Sequence, residues 1–173
     1  IVTDAYEPGS TFKIITTAAA LDSGTVNLDT TFECTGYKIV DGERIKCWRS
    51  GRPHGHQTLT QAVENSCNPA FMEMALSMGT EKFYEYIYNF GFGKNTGIDF
   101  STDGAGIVRA AKYIKNVDLA RIGFGQSIAC TPLQLATAAC AVVNGGGLYQ
   151  PRLAAGVQGA FGRGRARGKP CRV

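Results

Sequence analysis

The chain has 173 residues, of which 44% are apolar, and this composition is that of a folded globular domain rather than a disordered chain. It contains neither the ~18 consecutive apolar residues needed to span a bilayer nor a basic start followed by an apolar targeting run. The net charge of +4 depends on five basic residues beyond position 155, without which 13 basic residues face 14 acidic ones, and this excludes a basic nucleic-acid-binding face on the body of the chain.

The first third of the chain predicts a buried helix followed by a β-hairpin. Pro8-Gly9 marks a turn, Ser10 is a favourable N-cap, and the Ala-rich apolar run 11–21 predicts a helix behind it. Asp41-Gly42 lies between two strand-like runs and predicts a two-residue hairpin loop. Residues 49–57 are polar and carry Gly and Pro, so we expect a loop there.

Helices dominate the middle of the chain. Residues 58–65 predict a short helix that breaks at Ser66-Cys67-Asn68. Pro69 then takes its favoured place in the first turn of a second helix. That helix stops at Gly79, and a third helix follows it.

The last part of the chain predicts two more helices and then a change of composition. We expect a short helix over 117–122, and a capping box at Thr131-Pro132-Leu133-Gln134 opens a longer helix to Val143. Residues 155–173 are rich in Gly and Arg, which favours an unstructured or non-native tail. The predicted organisation is therefore one partial domain over 1–154 and a tail over 155–173.

A hydroxyl and an amine stand three residues apart at the start of the first helix. This spacing places Ser10 and Lys13 on one helical face, within reach of each other. A serine hydroxyl needs a neighbouring base, and a lysine can serve when burial lowers its pKa. The pattern alone is also that of an N-cap serine followed by a solvated lysine, but the apolar neighbours Phe12 and Ile15 favour a buried lysine.

A second polar group stands at the break between two predicted helices. In Ser66-Cys67-Asn68 a turn lets the Ser66 hydroxyl and the Asn68 amide project into one cleft. Ser66 could then relay a proton from Lys13, and Asn68 could bind a substrate carbonyl and contact Lys13. The alternative is that both side chains only cap helix ends.

Together these motifs resemble the transpeptidase domain of the penicillin-binding proteins. The S-x-x-K motif of that family is present at 10–13 and the S-x-N form of its second motif at 66–68. The resemblance is closest to class B, in particular the sporulation-linked type. Further segments that carry it are 45–48, 54–56, 124–126, 131–136, 144–146 and 150–151.

The resemblance implies a mixed α+β fold of the penicillin-binding and serine β-lactamase type, and a two-step acyl transfer that cross-links peptidoglycan stem peptides. Its catalytic residues would be Ser10, Lys13, Ser66 and Asn68, and substrate would also contact Gly125 and Gln126. β-Lactam antibiotics would acylate the serine. The resemblance implies no cofactor and no metal. It further implies action at the extracytoplasmic face of the bacterial membrane, beside a membrane-embedded glycosyltransferase and without nucleic acid.

One family motif is absent. The third motif, K-T-G, has no match, because the late Lys169 is followed by Pro170. In the family that strand binds the substrate carboxylate and supplies an oxyanion N–H. We therefore expect a chain that is incomplete at both ends, truncated before the third-motif strand and catalytically incompetent as it stands, although the parent protein is active.

The cysteines leave three alternatives open. Cys34 and Cys47 flank the predicted hairpin as diagonal neighbours, so a bulge would bring them within disulfide reach. They could equally be unpaired thiols, or join His54 and His56 at a metal site. Three others sit among apolar or small residues and are expected to be small core side chains: Cys67, Cys130 and Cys140.

Two other functions fit part of the pattern. A serine β-lactamase or β-lactam sensor shares the serine–lysine start, but the sequence offers no group to hydrolyse the acyl-enzyme. A non-catalytic scaffold would keep the fold and would tolerate Ser10→Ala. Turnover of a chromogenic cephalosporin would indicate the first function, and an unimpaired Ser10→Ala strain the second.

Overall fold

The computed structural model describes residues 1–153 and, beyond them, the backbone of three short strands at 157–159, 162–164 and 171–172. The described residues form a mixed fold of helices and antiparallel strand pairs, as predicted. The helices are α1 (Lys13–Asp22), α2 (Leu59–Glu64), α3 (Asn68–Asn89), α4 (Asn116–Gly123) and α5 (Pro132–Val143). The strands are β1 (Thr31–Cys34), β2 (Tyr37–Val40), β3 (Glu43–Lys46), β4 (Gly55–Thr58), β5 (Gly147–Leu148), β6 (Val157–Gly159), β7 (Gly162–Gly164) and β8 (Cys171–Arg172).

The predicted hairpin is confirmed. Strands β2 and β3 pair antiparallel with Val40 opposite Glu43, and the two loop residues, Asp41 and Gly42, both have positive φ. That is the backbone of a type I′ turn, whose twist matches that of the strands it joins.

The loop prediction for 49–57 is wrong at its end. Residues 55–57 belong to β4, which pairs antiparallel with β1, so that Cys34 lies opposite Gly55. The two strands are separated by the whole β2–β3 hairpin, and such a non-local partner leaves no signal in a polar segment.

Three short strands occur within the range of the predicted tail. Strand β6 pairs with β7, and β8 pairs with β5, so three segments of 155–173 are strands. The rest of that range lies outside the described residues, and the division into a domain over 1–154 and an unstructured or non-native tail over 155–173 stays a prediction.

A helical core surrounds α1. Phe12 and Ile15 are fully buried, and the ring of Phe12 lies 5.1 Å from that of Phe92. Burying side chains of this size stabilises a fold by about 1.5–3 kcal/mol each. Gly123 lets α4 approach α3 closely, because a Cβ at this position would lie 2.6 Å from the Phe71 carbonyl oxygen.

Helix α3 contains the two helices predicted on either side of Gly79. That residue has φ 76° and ψ 166°, so the helical backbone is interrupted there, as the sequence predicts. The predicted capping box of α5 is also present, with Thr131 accepting from the Gln134 N–H. Within the described residues, no helix combines the length and apolar character that crossing a membrane requires.

Candidate active site

Ser10 lies in a tight turn that leads into α1. Residues Gly9–Phe12 form one turn of 3-10 helix, and α1 begins only at Lys13. The prediction that Ser10 is the N-cap is therefore wrong, because Phe12 takes that position for α1. The Thr11 hydroxyl donates to the Pro8 carbonyl at 2.6 Å within the turn. The Ser10 side chain is exposed, and its oxygen lies 3.3 Å from Lys13 Nζ.

Lys13 is buried, with 4% of its surface exposed. Burial lowers the pKa of Lys13 to about 8, against a smaller opposing effect of the nearby Cys47 and Cys67 thiols. With this pKa, roughly a tenth of the molecules carry a neutral amine at pH 7, against fewer than about one in a thousand for an ordinary lysine. The buried lysine that the sequence favoured is confirmed.

The Lys13 amine is surrounded by oxygen atoms. Besides Ser10, its Nζ reaches the Ser66 carbonyl at 2.8 Å, the Ser66 hydroxyl at 2.9 Å and Asn68 Oδ1 at 2.7 Å. A neutral amine has two N–H donors and one lone pair. The carbonyl and the amide oxygen occupy the two donors, and this leaves the lone pair to accept a proton from one of the two hydroxyls.

The second motif is held by a strained turn. Ser66 has φ +50°, a conformation that non-glycine residues rarely adopt and that concentrates at functional sites. The turn separates α2 from α3, and Asn68 is the first residue of α3. No side chain caps α3, and both polar groups face Lys13, so the capping alternative is wrong for this pair.

Gly125 braces the turn that carries Ser10. Its carbonyl accepts from the Gly9 N–H at 2.9 Å, and a Cβ at Gly125 would lie 2.0 Å from the Gly9 carbonyl oxygen. In the same segment the Ser127 N–H donates to the Glu7 carboxylate at 2.8 Å. Gln126 is exposed beside it. Substrate binding by Gly125 and Gln126 stays a prediction.

Cys34 and Cys47 are not diagonal neighbours across the β2–β3 hairpin, as one of the sequence alternatives assumed. Cys34 and Cys47 are free thiols, and Cys34 lies in the β1–β4 ladder rather than diagonally across the hairpin from Cys47. Cys67, which the sequence suggested was a small core residue, is buried but places its sulfur beside them together with His54. His56 points elsewhere, 3.7 Å from the Glu33 carboxylate. The one sequence signal for Cys67 was its place inside the second motif.

Residues 1–170 match the model of the penicillin binding protein transpeptidase domain. The chain is 48% identical over 154 residues to Stage V sporulation protein D of Bacillus subtilis, covering 88% of this chain and 24% of that protein. It is 29% identical over 167 residues to Peptidoglycan D,D-transpeptidase MrdA of Haemophilus influenzae, covering 90% of this chain and 26% of that protein. The chain thus spans about a quarter of the length of the curated relatives it matches.

Solved structures of similar fold belong to the same kind of protein as the sequence relatives. The chain superposes on penicillin binding protein 3 of Mycobacterium tuberculosis in complex with aztreonam with a TM-score of 0.90 at 25% identity, over 99% of this chain and 38% of that one. For the D,D-transpeptidase domain of a peptidoglycan glycosyltransferase from Eggerthella lenta the TM-score is 0.88 at 28% identity, over 99% of this chain and 45% of that one. With the order of motifs and this fold, the chain belongs to the family of penicillin binding protein transpeptidase domains.

Proposed function

We propose that this protein is a peptidoglycan D,D-transpeptidase in which Ser10 is acylated and Lys13 accepts the proton of its hydroxyl. The observation that carries the proposal is the position of Lys13 Nζ, buried and within hydrogen-bonding distance of Ser10 and of both polar side chains of the second motif. The relatives, among them Peptidoglycan D,D-transpeptidase MrdA, support the same chemistry.

In the first step Ser10 Oγ attacks the carbonyl carbon between the two terminal D-alanines of a stem peptide. A bond forms between this oxygen and the carbonyl carbon, and the proton passes to the Lys13 lone pair. The C–N bond then breaks. The leaving amine takes its proton through the Ser66 hydroxyl, which lies 2.9 Å from Lys13 Nζ.

In the second step the amine of a neighbouring stem peptide attacks the ester of Ser10. The new amide bond forms, the ester C–O bond breaks, and the proton lost by the amine returns to Ser10 Oγ by way of Lys13. A transpeptidase needs an acyl-enzyme that resists water until this amine arrives. β-Lactams, which mimic the terminal dipeptide, would be held at the ester stage.

The proposal extends to location and partners. We place the activity on the outer side of the bacterial membrane, where peptidoglycan is assembled, and infer a membrane-embedded glycosyltransferase as the partner that makes the glycan strands. Support comes from the family alone. Chemical cross-linking of the full-length protein in cells tests the partner, and the recovery of partners that do not include a glycosyltransferase would contradict it.

The test is covalent labelling of the full-length gene product with a fluorescent penicillin, followed by peptide mapping. We expect one adduct, on Ser10, and none in Ser10→Ala. Ser23→Ala is the matched control, because Ser23 lies at the other end of α1 and its hydroxyl contacts only local partners among the described residues. Label on another residue, or undiminished label in Ser10→Ala, contradicts the proposal.

The same preparation separates a transpeptidase from a β-lactamase. A transpeptidase keeps the label for a time long compared with its acylation. Continuous hydrolysis of a chromogenic cephalosporin would identify a β-lactamase instead, and the D,D-transpeptidase assignment would then be wrong even with Ser10 as the nucleophile.

A further inference from the structure

Directly behind the second motif, four side chains converge on one point. The sulfur atoms of Cys34, Cys47 and Cys67 and a ring nitrogen of His54 all lie within 4.8 Å of one another. These residues come from the end of β1, from the residue after β3, from the loop before β4 and from the turn before α3. The three cysteines are almost completely buried, with 2% or less of their surfaces exposed.

From this cluster we infer a structural zinc site of the Cys3His type. Three thiolates and one imidazole are a ligand set that proteins use to bind Zn²⁺ with tetrahedral geometry. The soft sulfur donors favour zinc over magnesium or calcium, which take oxygen ligands. The inference concerns this cluster alone and is independent of the proposed transpeptidase activity.

The distances between the donor atoms suit a tetrahedron. Bonds of about 2.3 Å to sulfur and about 2.0 Å to nitrogen place neighbouring donors roughly 3.5–3.8 Å apart. The Cys47 sulfur lies 3.7 Å from His54 Nδ1, which is within this range. The 4.8 Å limit on the remaining separations allows closure by shifts of about 1 Å.

The His54 ring leaves Nδ1 available to bind an ion. Among the described residues its other nitrogen, Nε2, is buried without a hydrogen-bond partner. The polar contact that the imidazole does make is that of Nδ1 with the Cys47 sulfur, and an ion bound at Nδ1 would leave the ring proton on Nε2. A cluster of small core residues would explain the cysteines, but it would not explain a half-buried imidazole turned toward their thiols.

The burial of the cluster defines its role. All four ligands come from the protein, which is the closed coordination of a structural zinc rather than the open one of a catalytic zinc. The ion would join two strand pairs, β1–β4 and β2–β3, which have only two strands each and are marginal alone. It would also anchor Cys67, whose neighbours Ser66 and Asn68 contact Lys13.

The test is metal binding by the purified, reduced full-length protein. We expect about one zinc per molecule, retained on desalting, and visible absorption bands of tetrahedral thiolate-bound cobalt when Co²⁺ replaces it. His54→Ala should weaken zinc binding by more than the roughly 10- to 100-fold loss that follows removal of an outer-shell partner. His56→Ala, two residues away and exposed, should bind as the parent does.

Cysteine variants localise the ion. Cys34→Ser should lose cobalt absorption that Cys130→Ser, another buried cysteine, retains. Circular dichroism checks that each variant is folded, and the cobalt spectrum of the parent does not depend on any variant. A parent that binds no zinc and gives the spectrum of six-coordinate cobalt overturns the proposal. So do equal effects of His54→Ala and His56→Ala, or a disulfide between two of the three clustered thiols in zinc-free native protein.

Discussion

Asn68 Oδ1 accepts a hydrogen bond from Lys13 Nζ at 2.7 Å, the shortest of the contacts around that amine. The two residues are 55 positions apart, and the contact joins the start of α1 to the start of α3. A neutral amide oxygen orients the amine without adding a charge that would keep it protonated. The pair therefore holds the Lys13 amine in place while burial keeps its pKa low.

The first prediction concerns pH. Burial lowers the pKa of Lys13 to about 8, and in the proposed mechanism the neutral form of this amine is the active one. The rate of penicillin acylation of the full-length protein should rise about tenfold per pH unit below 8 and level off above it. Stopped-flow or gel-based labelling between pH 6 and 9 measures this. A flat profile across that range would contradict Lys13 as the base.

The second prediction concerns Asn68→Asp, which exchanges the neutral amide for a carboxylate of the same shape. Asn68→Asp places a carboxylate 2.7 Å from Lys13 Nζ, and an opposite charge at that distance raises the pKa of the amine. The rise in acylation should move to higher pH by about one to three units, with little loss at the plateau. Asn65→Asp is the control, because Asn65 contacts Gln57 and Trp48 instead. An unshifted profile in Asn68→Asp would show that the contact does not set the pKa.

The third prediction concerns the contact of Gly125 with the turn that carries Ser10. Gly125→Ala would place a methyl group 2.0 Å from the Gly9 carbonyl oxygen at φ +82°. We expect a loss of about 1–3 kcal/mol in the free energy of unfolding and slower acylation, because the turn that carries Ser10 must shift. Gly145→Ala is the matched control, since it has φ +84° and open space around the added carbon. Equal losses in both variants would leave backbone conformation as the only cause.

The fourth prediction concerns the missing third motif. The 173-residue chain should be acylated by a fluorescent penicillin at least about 10²- to 10³-fold more slowly than the full-length protein, the effect of losing one oxyanion donor. Circular dichroism of both proteins controls for folding. Equal rates would show that the third-motif strand is not needed for acylation.

Local chemistry made much of the fold predictable. Thr131 and Gln134 form a capping box, and Asp41-Gly42 favours a hairpin turn. Gly79 interrupts a helix. Each of these features lies where the sequence predicts it. The N-cap assigned to Ser10 is wrong, because Phe12 takes that position for α1.

By itself the sequence identified Ser10, Lys13 and the second motif as the candidate nucleophile, base and proton relay, because their spacing and order are characteristic of one family. Only the tertiary structure decided that Asn68 and both oxygens of Ser66 meet the Lys13 amine, and that His54 and Cys67 join the two other cysteines. These contacts lie between segments far apart in the chain. They depend on how β1 pairs with β4 and α1 packs on α3, and no local pattern of residues encodes that packing.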